Sequence, residues 1–154
     1  MNRKIEFRGK CSPQSKYKGE WVTGSLVVPE QIEDNEVLIV VAHSDNCKTT
    51  YHVDKDTVGQ FTGFVDSVGK EVYEFDIMKD EGSERLYVVY FNEDSMRFMR
   101  CPVEFYDGNK TLITVHNSQP MDVLRWRNIK RYVIGNIHDN PELIKEDSNE
   151  RRTF

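Results

Sequence analysis

The sequence has no apolar run long enough to cross a membrane. Its longest clean stretch, Val37–Ala42, is far short of the roughly 20 residues a spanning helix needs. The basic opening, Met1-Asn2-Arg3-Lys4-Ile5-Glu6-Phe7, is not followed by an apolar segment, so no secretion signal is expected. Cysteine is scarce: Cys11, Cys47 and Cys101 are odd in number and widely spaced. They form no disulfide framework on paper, and they point to a reducing, cytoplasmic setting. Phosphate-cradling glycine motifs are missing, as are paired-cysteine and H-E-x-x-H zinc signatures. Positive charge is not in excess. The formal net charge of -5 repels nucleic acid and anionic lipid at long range.

What is present is a globular mixture. Of the 154 residues 38% are hydrophobic and 31% charged, which suits one compact domain with a polar surface. A chain of this length needs neither metal nor disulfide to fold. One compact domain is expected over 1–144, with a possible subdivision near the glycines of 59–69. A frayed tail is expected over 145–154, where no apolar residue recurs until Phe154.

The hydrophobic pattern is that of short strands. Arg3–Gly9 alternates and reads as an edge strand. Glu20–Val28 is β-branched and stops at Pro29. Gln31–Glu36 is an acidic loop or short turn. Val37–Ala42 reads as a strand buried on both faces. Lys48–Asp56 alternates, with Thr49, Tyr51 and Val53 on one side and Thr50, His52, Asp54 and Asp56 on the other. Ser67-Val68-Gly69-Lys70 is the best hairpin turn. Glu71–Met78 and Leu86–Phe91 are the next strands.

Met96–Tyr106 is ambiguous, since its first half could turn helically while Pro102 stops a helix. Val103–Tyr106 and Thr111–Val115 form a hairpin around Asp107-Gly108-Asn109. Asp122–Trp126 is a candidate short helix, and Arg131–Ile137 a last strand. Asn140 can cap a helical turn begun by Pro141 and Glu142. The fold class is therefore mainly β: a small barrel or sandwich of short, mostly antiparallel strands, SH3-like in the second half by strand count.

Three blocks of sequence belong together. They are Ile5-Glu6-Phe7-Arg8-Gly9-Lys10 with Gly19-Glu20-Trp21-Val22-Thr23-Gly24; Thr57-Val58-Gly59-Gln60-Phe61-Thr62-Gly63 with Gly69-Lys70-Glu71-Val72-Tyr73-Glu74; and Val133-Ile134-Gly135-Asn136-Ile137 with Asn140-Pro141-Glu142-Leu143. In order and spacing they resemble the YopX family of phage and prophage proteins. The resemblance implies a mainly β protein of phage or prophage origin and carries no catalytic mechanism. One position departs from it. Where the family pattern reads Tyr-Glu-Gly-Asp-Ile, this chain has Tyr73-Glu74-Phe75-Asp76-Ile77. Glycine there would permit a positive φ. Phe75 implies either ordinary strand or a rebuilt turn.

Chemistry-bearing groups are sparse. His52, Asp54 and Asp56 would share one strand face and could ligate a divalent cation, although exposed Asp and His are ordinary surface residues. An EF-hand reading of Asp54–Gly59 fails, because Val58 and Val65 stand where oxygen ligands belong. Cys47 lies between His43 and His52 in sequence without a nucleophile signature. Glu74 and Asp76 are a carboxylate pair of the kind that arises by chance.

Arg125, Trp126, Arg127, Lys130, Arg131 and Tyr132 form the densest basic and aromatic cluster. Arginine can pair with phosphate, and the rings can stack on bases. Three readings follow. The first is a non-enzymatic protein, with no cofactor, that binds a protein partner or itself. The second is a nucleic-acid-binding module using the basic cluster. The third is a divalent-metal hydrolase built on His52, Asp54 and Asp56.

Overall fold

A computed structural model of the chain describes residues 3–30, 35–106, 118–124 and 128–144; for Phe105, Val123 and Leu124 it describes the backbone alone. The chain divides into two compact units, Met1–Gly63 and Phe64–Phe154. The mainly β, antiparallel class expected from the pattern is observed. Both sheets are open, and neither closes into a barrel among the described residues. No helix among them is long and apolar enough to cross a membrane.

The first unit is built on β1 (Phe7–Lys10), β2 (Trp21–Val27), β3 (Glu36–Ser44), β4 (Cys47–Asp54) and β5 (Gly59–Val65), side by side in the order β4-β3-β2-β1-β5. The last two residues of β5 fall beyond the division. The N-terminal strand is not an edge, as its alternation suggested. β1 lies between β2 and β5 and is paired on both sides. Alternation reports which face a side chain takes, not how many neighbours the strand has. Ile5 precedes the strand and is 52% exposed.

The sheet curls until the chain just after β1 meets β4. Cys11 bridges Val53, and the Ser12 N–H donates to the His52 carbonyl at 3.0 Å. Gly9 permits the curl, because a Cβ there would lie 2.8 Å from Val53 Cγ2. Cys11, Val37, Ile39 and Val53 form the core. Only the Val37–Ile39 face of β3 is fully buried, and Leu38 and Val40 are half-buried. An unbroken valine-rich run looks the same whether one face or two are covered. The stretch 31–34 of the predicted acidic loop lies outside the described residues.

The second unit holds β6 (Glu71–Tyr73), β7 (Asp76–Asp80), β8 (Leu86–Asn92), β9 (Arg97–Pro102), β10 (Gln119–Pro120), the one-turn α1 (Met121–Leu124) and β11 (Arg131–Asn136). Its five-stranded sheet runs β10-β9-β8-β7-β11, so β10 and β11 are edges and the SH3-like closure is not formed. The register places Met78, Tyr87, Val89, Arg100 and Val133 on one face and Ile77, Val88, Tyr90, Met99 and Cys101 on the other. Both faces are buried.

The Ser67–Lys70 turn forms as expected. Asp66 N–H donates to the Lys70 carbonyl, and Gly69 takes φ +86°.

The predicted strand Glu71–Met78 is broken by a turn at Glu74-Phe75, with Phe75 at φ +68°. Met96, at φ +53°, turns the chain into β9 rather than starting a helix. Val103–Phe105 is a 3-10 turn, not a hairpin strand. The proposed Asp107-Gly108-Asn109 turn and Thr111–Val115 lie outside the described residues, as does the tail over 145–154. The turn Pro141–Leu143 begins at proline as expected, but Asn140 does not cap it. Its side-chain oxygen instead accepts the Asn136 N–H at 3.3 Å, over Gly135, where a Cβ would collide with it.

Candidate functional site

In the second unit a polar corner forms where β7, β9 and β11 end together. Antiparallel register sets Asp80 opposite Arg131 and Gln119 opposite Arg100. Arg100 is 2% exposed. Its Nη1 and Nη2 meet the two Asp80 oxygens at 2.5 and 2.9 Å, and Nη2 also donates to Gln119 Oε1 at 2.9 Å. The guanidinium carbon lies 3.9 Å from the centre of the Tyr87 ring. Arg131 Nε approaches Asp80 Oδ1 at 3.4 Å. A planar fork on a carboxylate, backed by an aromatic face, is a favourable setting for a buried arginine. Removing one member would strand the other's charge at a cost of about 3–5 kcal/mol. The corner holds strand ends together and, among the described residues, offers no spare base or nucleophile.

Beside it lies a hollow of about 120 Å³, floored by Phe64, Val72, Met78 and Met121, with Val65 and Arg131 at its margin. Val65 and the nearby Val68 are 59% and 75% exposed. Asp66 anchors this margin. Its carboxylate accepts the backbone N–H groups of Val68, Lys70 and Val133 at 2.9, 2.9 and 3.1 Å. Burial pushes its pKa up, but the three backbone donors and the charge of Lys70 outweigh burial and hold the carboxyl below its ordinary range.

Of the basic and aromatic cluster, Arg125, Trp126 and Arg127 lie outside the described residues. The other three face carboxylates. Lys130 Nζ is 3.6 Å from Glu81, the Tyr132 hydroxyl donates to Glu81 at 3.4 Å, and Arg131 turns to Asp80. Nor are Glu74 and Asp76 a matched pair on one strand. Glu74 is in the turn, and Asp76, 1% exposed, accepts the Tyr73 N–H at 2.8 Å.

In the first unit the predicted metal face is rearranged. β4 ends at Asp54, and Asp56 lies in the following 3-10 turn. His52 Nδ1 sits 3.2 Å from Glu36 Oε2. Asp54 Oδ1 accepts the Asp56 N–H at 3.0 Å, and Asn35 Nδ2 donates to Asp54 and Asp56 at 3.3 and 2.9 Å. Among the described residues no three His, Cys, Asp or Glu side chains are grouped to hold a metal ion.

Glu36, which the sequence reading passed over, lies directly opposite Asp54 on the β3–β4 ladder. The pair borders a cleft of about 240 Å³ lined also by Ser12, Gln14 and Asn35. Ser12 is 1% exposed, and its hydroxyl has no hydrogen-bond partner.

Cys47 is not brought into a pair with His43 or His52. His43 Nε2 lies 2.9 Å from Thr49 Oγ1, His52 faces Glu36, and Cys47 is exposed. The Cys11 thiol is pushed up by burial and by the charge of Glu20, against a lowering contact with Ser15, so it resists forming the reactive thiolate.

No curated protein matches the sequence. The crystal structure of protein EF1440 from Enterococcus faecalis is similar in fold, with a TM-score of 0.50 and 20% identity over 92% of this chain and 99% of that one. The family described as YopX protein matches residues 6–145. With nearly its whole length matched, the chain belongs to the YopX family.

Proposed function

We propose that this protein is a non-catalytic binding protein of phage or prophage type, acting in the bacterial cytoplasm by docking a protein partner at the second unit. One observation carries the reading. The hollow beside α1 has an apolar floor and a margin of exposed valine, and among the described residues its one basic group, Arg131, is drawn to Asp80. Such a place takes an apolar side chain of a partner more readily than a phosphate. The chain's charge of -5 favours a partner with a basic surface. A second copy of the chain would be the alternative occupant.

Nucleic-acid binding through Arg125–Tyr132 is the second reading. The carboxylates facing Lys130, Arg131 and Tyr132 weigh against it. Affinity capture from host lysate, with and without nuclease, separates the two. The protein-docking reading expects a stoichiometric polypeptide that survives nuclease. Capture that vanishes with nuclease, or binding to bare nucleic acid that falls steeply with salt, would establish the rival.

A further inference from the structure

Strand β4 is an edge of its sheet, with β3 on one side. The Ser12 N–H donates to the His52 carbonyl, so His52 turns its backbone polar groups away from β3. Backbone direction alternates along a strand, so Thr50 and Lys48 turn theirs the same way. Cys11 and Ser12 close the edge beside His52 and Val53, and the hairpin turn at Asp45-Asn46 bounds it at the other end. Between these limits Cys47–Tyr51 is an open window. Among the described residues no strand or loop pairs with Lys48 or Thr50 on that side. Proteins ordinarily blunt such an edge by shortness, proline or several charges. β4 is 8 residues long and has no proline. Its window carries one charge, Lys48, beside Thr49, Thr50 and Tyr51, which favour strand pairing.

We infer that this window pairs with the same window of a second copy of the chain, antiparallel, about a two-fold axis at Thr49. The limits of the window select that occupant. Thr49 is its centre, so pairing about Thr49 uses its full length. Pairing about Thr50 would need His52, whose carbonyl Ser12 already covers. In the Thr49 register Lys48 and Thr50 exchange about four hydrogen bonds with the partner's Thr50 and the partner's Lys48. No like charges stand directly opposite. The two Lys48 side chains meet only on a diagonal, about 7–8 Å apart in solvent, where repulsion is small. Thr49 faces the partner's Thr49, a favourable cross-strand pair. Tyr51, packed on Tyr17 with ring centroids 5.2 Å apart, faces the partner's Cys47. A contact of about five residues a side lies at the small, transient end of protein interfaces, so the dimer is weak and concentration-dependent. This edge is separate from the docking surface in the second unit.

The test is sedimentation equilibrium of the full chain in reductant, at rising concentration up to about 1 mM, where even a weak pair is populated. A monomer–dimer equilibrium is expected. Thr50→Pro removes an N–H that the β3 ladder does not use, so the thermal midpoint should stay near that of the parent protein. Its dimer dissociation constant should rise at least about tenfold, from lost hydrogen bonds and a blocked edge. Val65→Asp/Val68→Asp should dimerise as the parent does. Disulfide trapping reads the register independently. Residues opposite each other in a non-hydrogen-bonded pair have Cα atoms about 4.5 Å apart, within disulfide reach. On air oxidation Cys47→Ser/Thr49→Cys should therefore cross-link to a dimer, and Cys47→Ser/Lys48→Cys should not. The proposal is overturned by a chain that stays monomeric throughout, by undiminished dimerisation of Thr50→Pro, by equal cross-linking of the two cysteine variants, or by a dimer lost in Val65→Asp/Val68→Asp.

Discussion

Phe75 holds its backbone at φ +68°, a region that costs a residue with a Cβ about 1–2 kcal/mol. Its neighbours over-determine it. The Phe75 N–H donates to the Val89 carbonyl at 2.7 Å, its carbonyl accepts the Ile137 N–H at 3.0 Å, and Asp76 closes the turn on the Tyr73 N–H. The ring is buried and meets His138 edge-on, with centroids 5.6 Å apart. The turn for which the family pattern has glycine is therefore kept, and ring burial offsets the strain.

Truncation at Phe75 has an unusual expected order. Phe75→Ala should cost about 3–5 kcal/mol from the lost ring. Phe75→Gly should cost about 1 kcal/mol less than that, since glycine relaxes the backbone. Urea unfolding of the two variants measures this. Alanine outlasting glycine would mean that the residue is ordinary strand.

Asp66 ties two elements, the 66–70 turn and the edge of β11, through Val133 N–H. Its carboxyl sits below its ordinary range when folded, so the folded state prefers the ionised form. That contribution is fully present above the unfolded carboxyl pKa, about 3.9, and is lost as pH falls through the lower folded value. Asp66→Asn keeps the shape but leaves one N–H facing an amide nitrogen. At pH 7 it should cost about 1.5–3 kcal/mol, with the gap to the parent protein narrowing toward pH 2. A gap independent of pH, in denaturant melts at both pH values, would refute the role of the charge.

Much of this level was legible from residue pattern. The Ser67–Lys70 hairpin, β2, β4 and β8 follow from alternation and turn chemistry. What alternation cannot carry is neighbour count and register. β1 became an interior strand because pairing on both sides leaves its side-chain pattern unchanged. The Glu36–Asp54 pair depends on a one-residue bulge, and Arg100, Asp80 and Gln119 meet only through strand order. No spacing in the sequence signals either. Phe75 misled because its residue type contradicts its backbone.

At the scale of the whole molecule, several described polar groups that could have suggested catalysis hold the structure. Asp80 and Arg100 bind each other, Asp76 and Asp66 hold turns, and His43 and His52 meet Thr49 and Glu36. The exposed Val65 and Val68 beside the second unit's hollow are the surface proposed for a partner. The direct measurement is the affinity of the captured partner for the parent protein and for Val65→Asp/Val68→Asp. Both positions are exposed, so the double variant should keep its thermal midpoint. Docking at this surface requires at least about a tenfold loss of affinity, the scale of one hot-spot contact. Undiminished binding in that variant, with loss on replacing Arg125 and Arg127 by alanine, would contradict it.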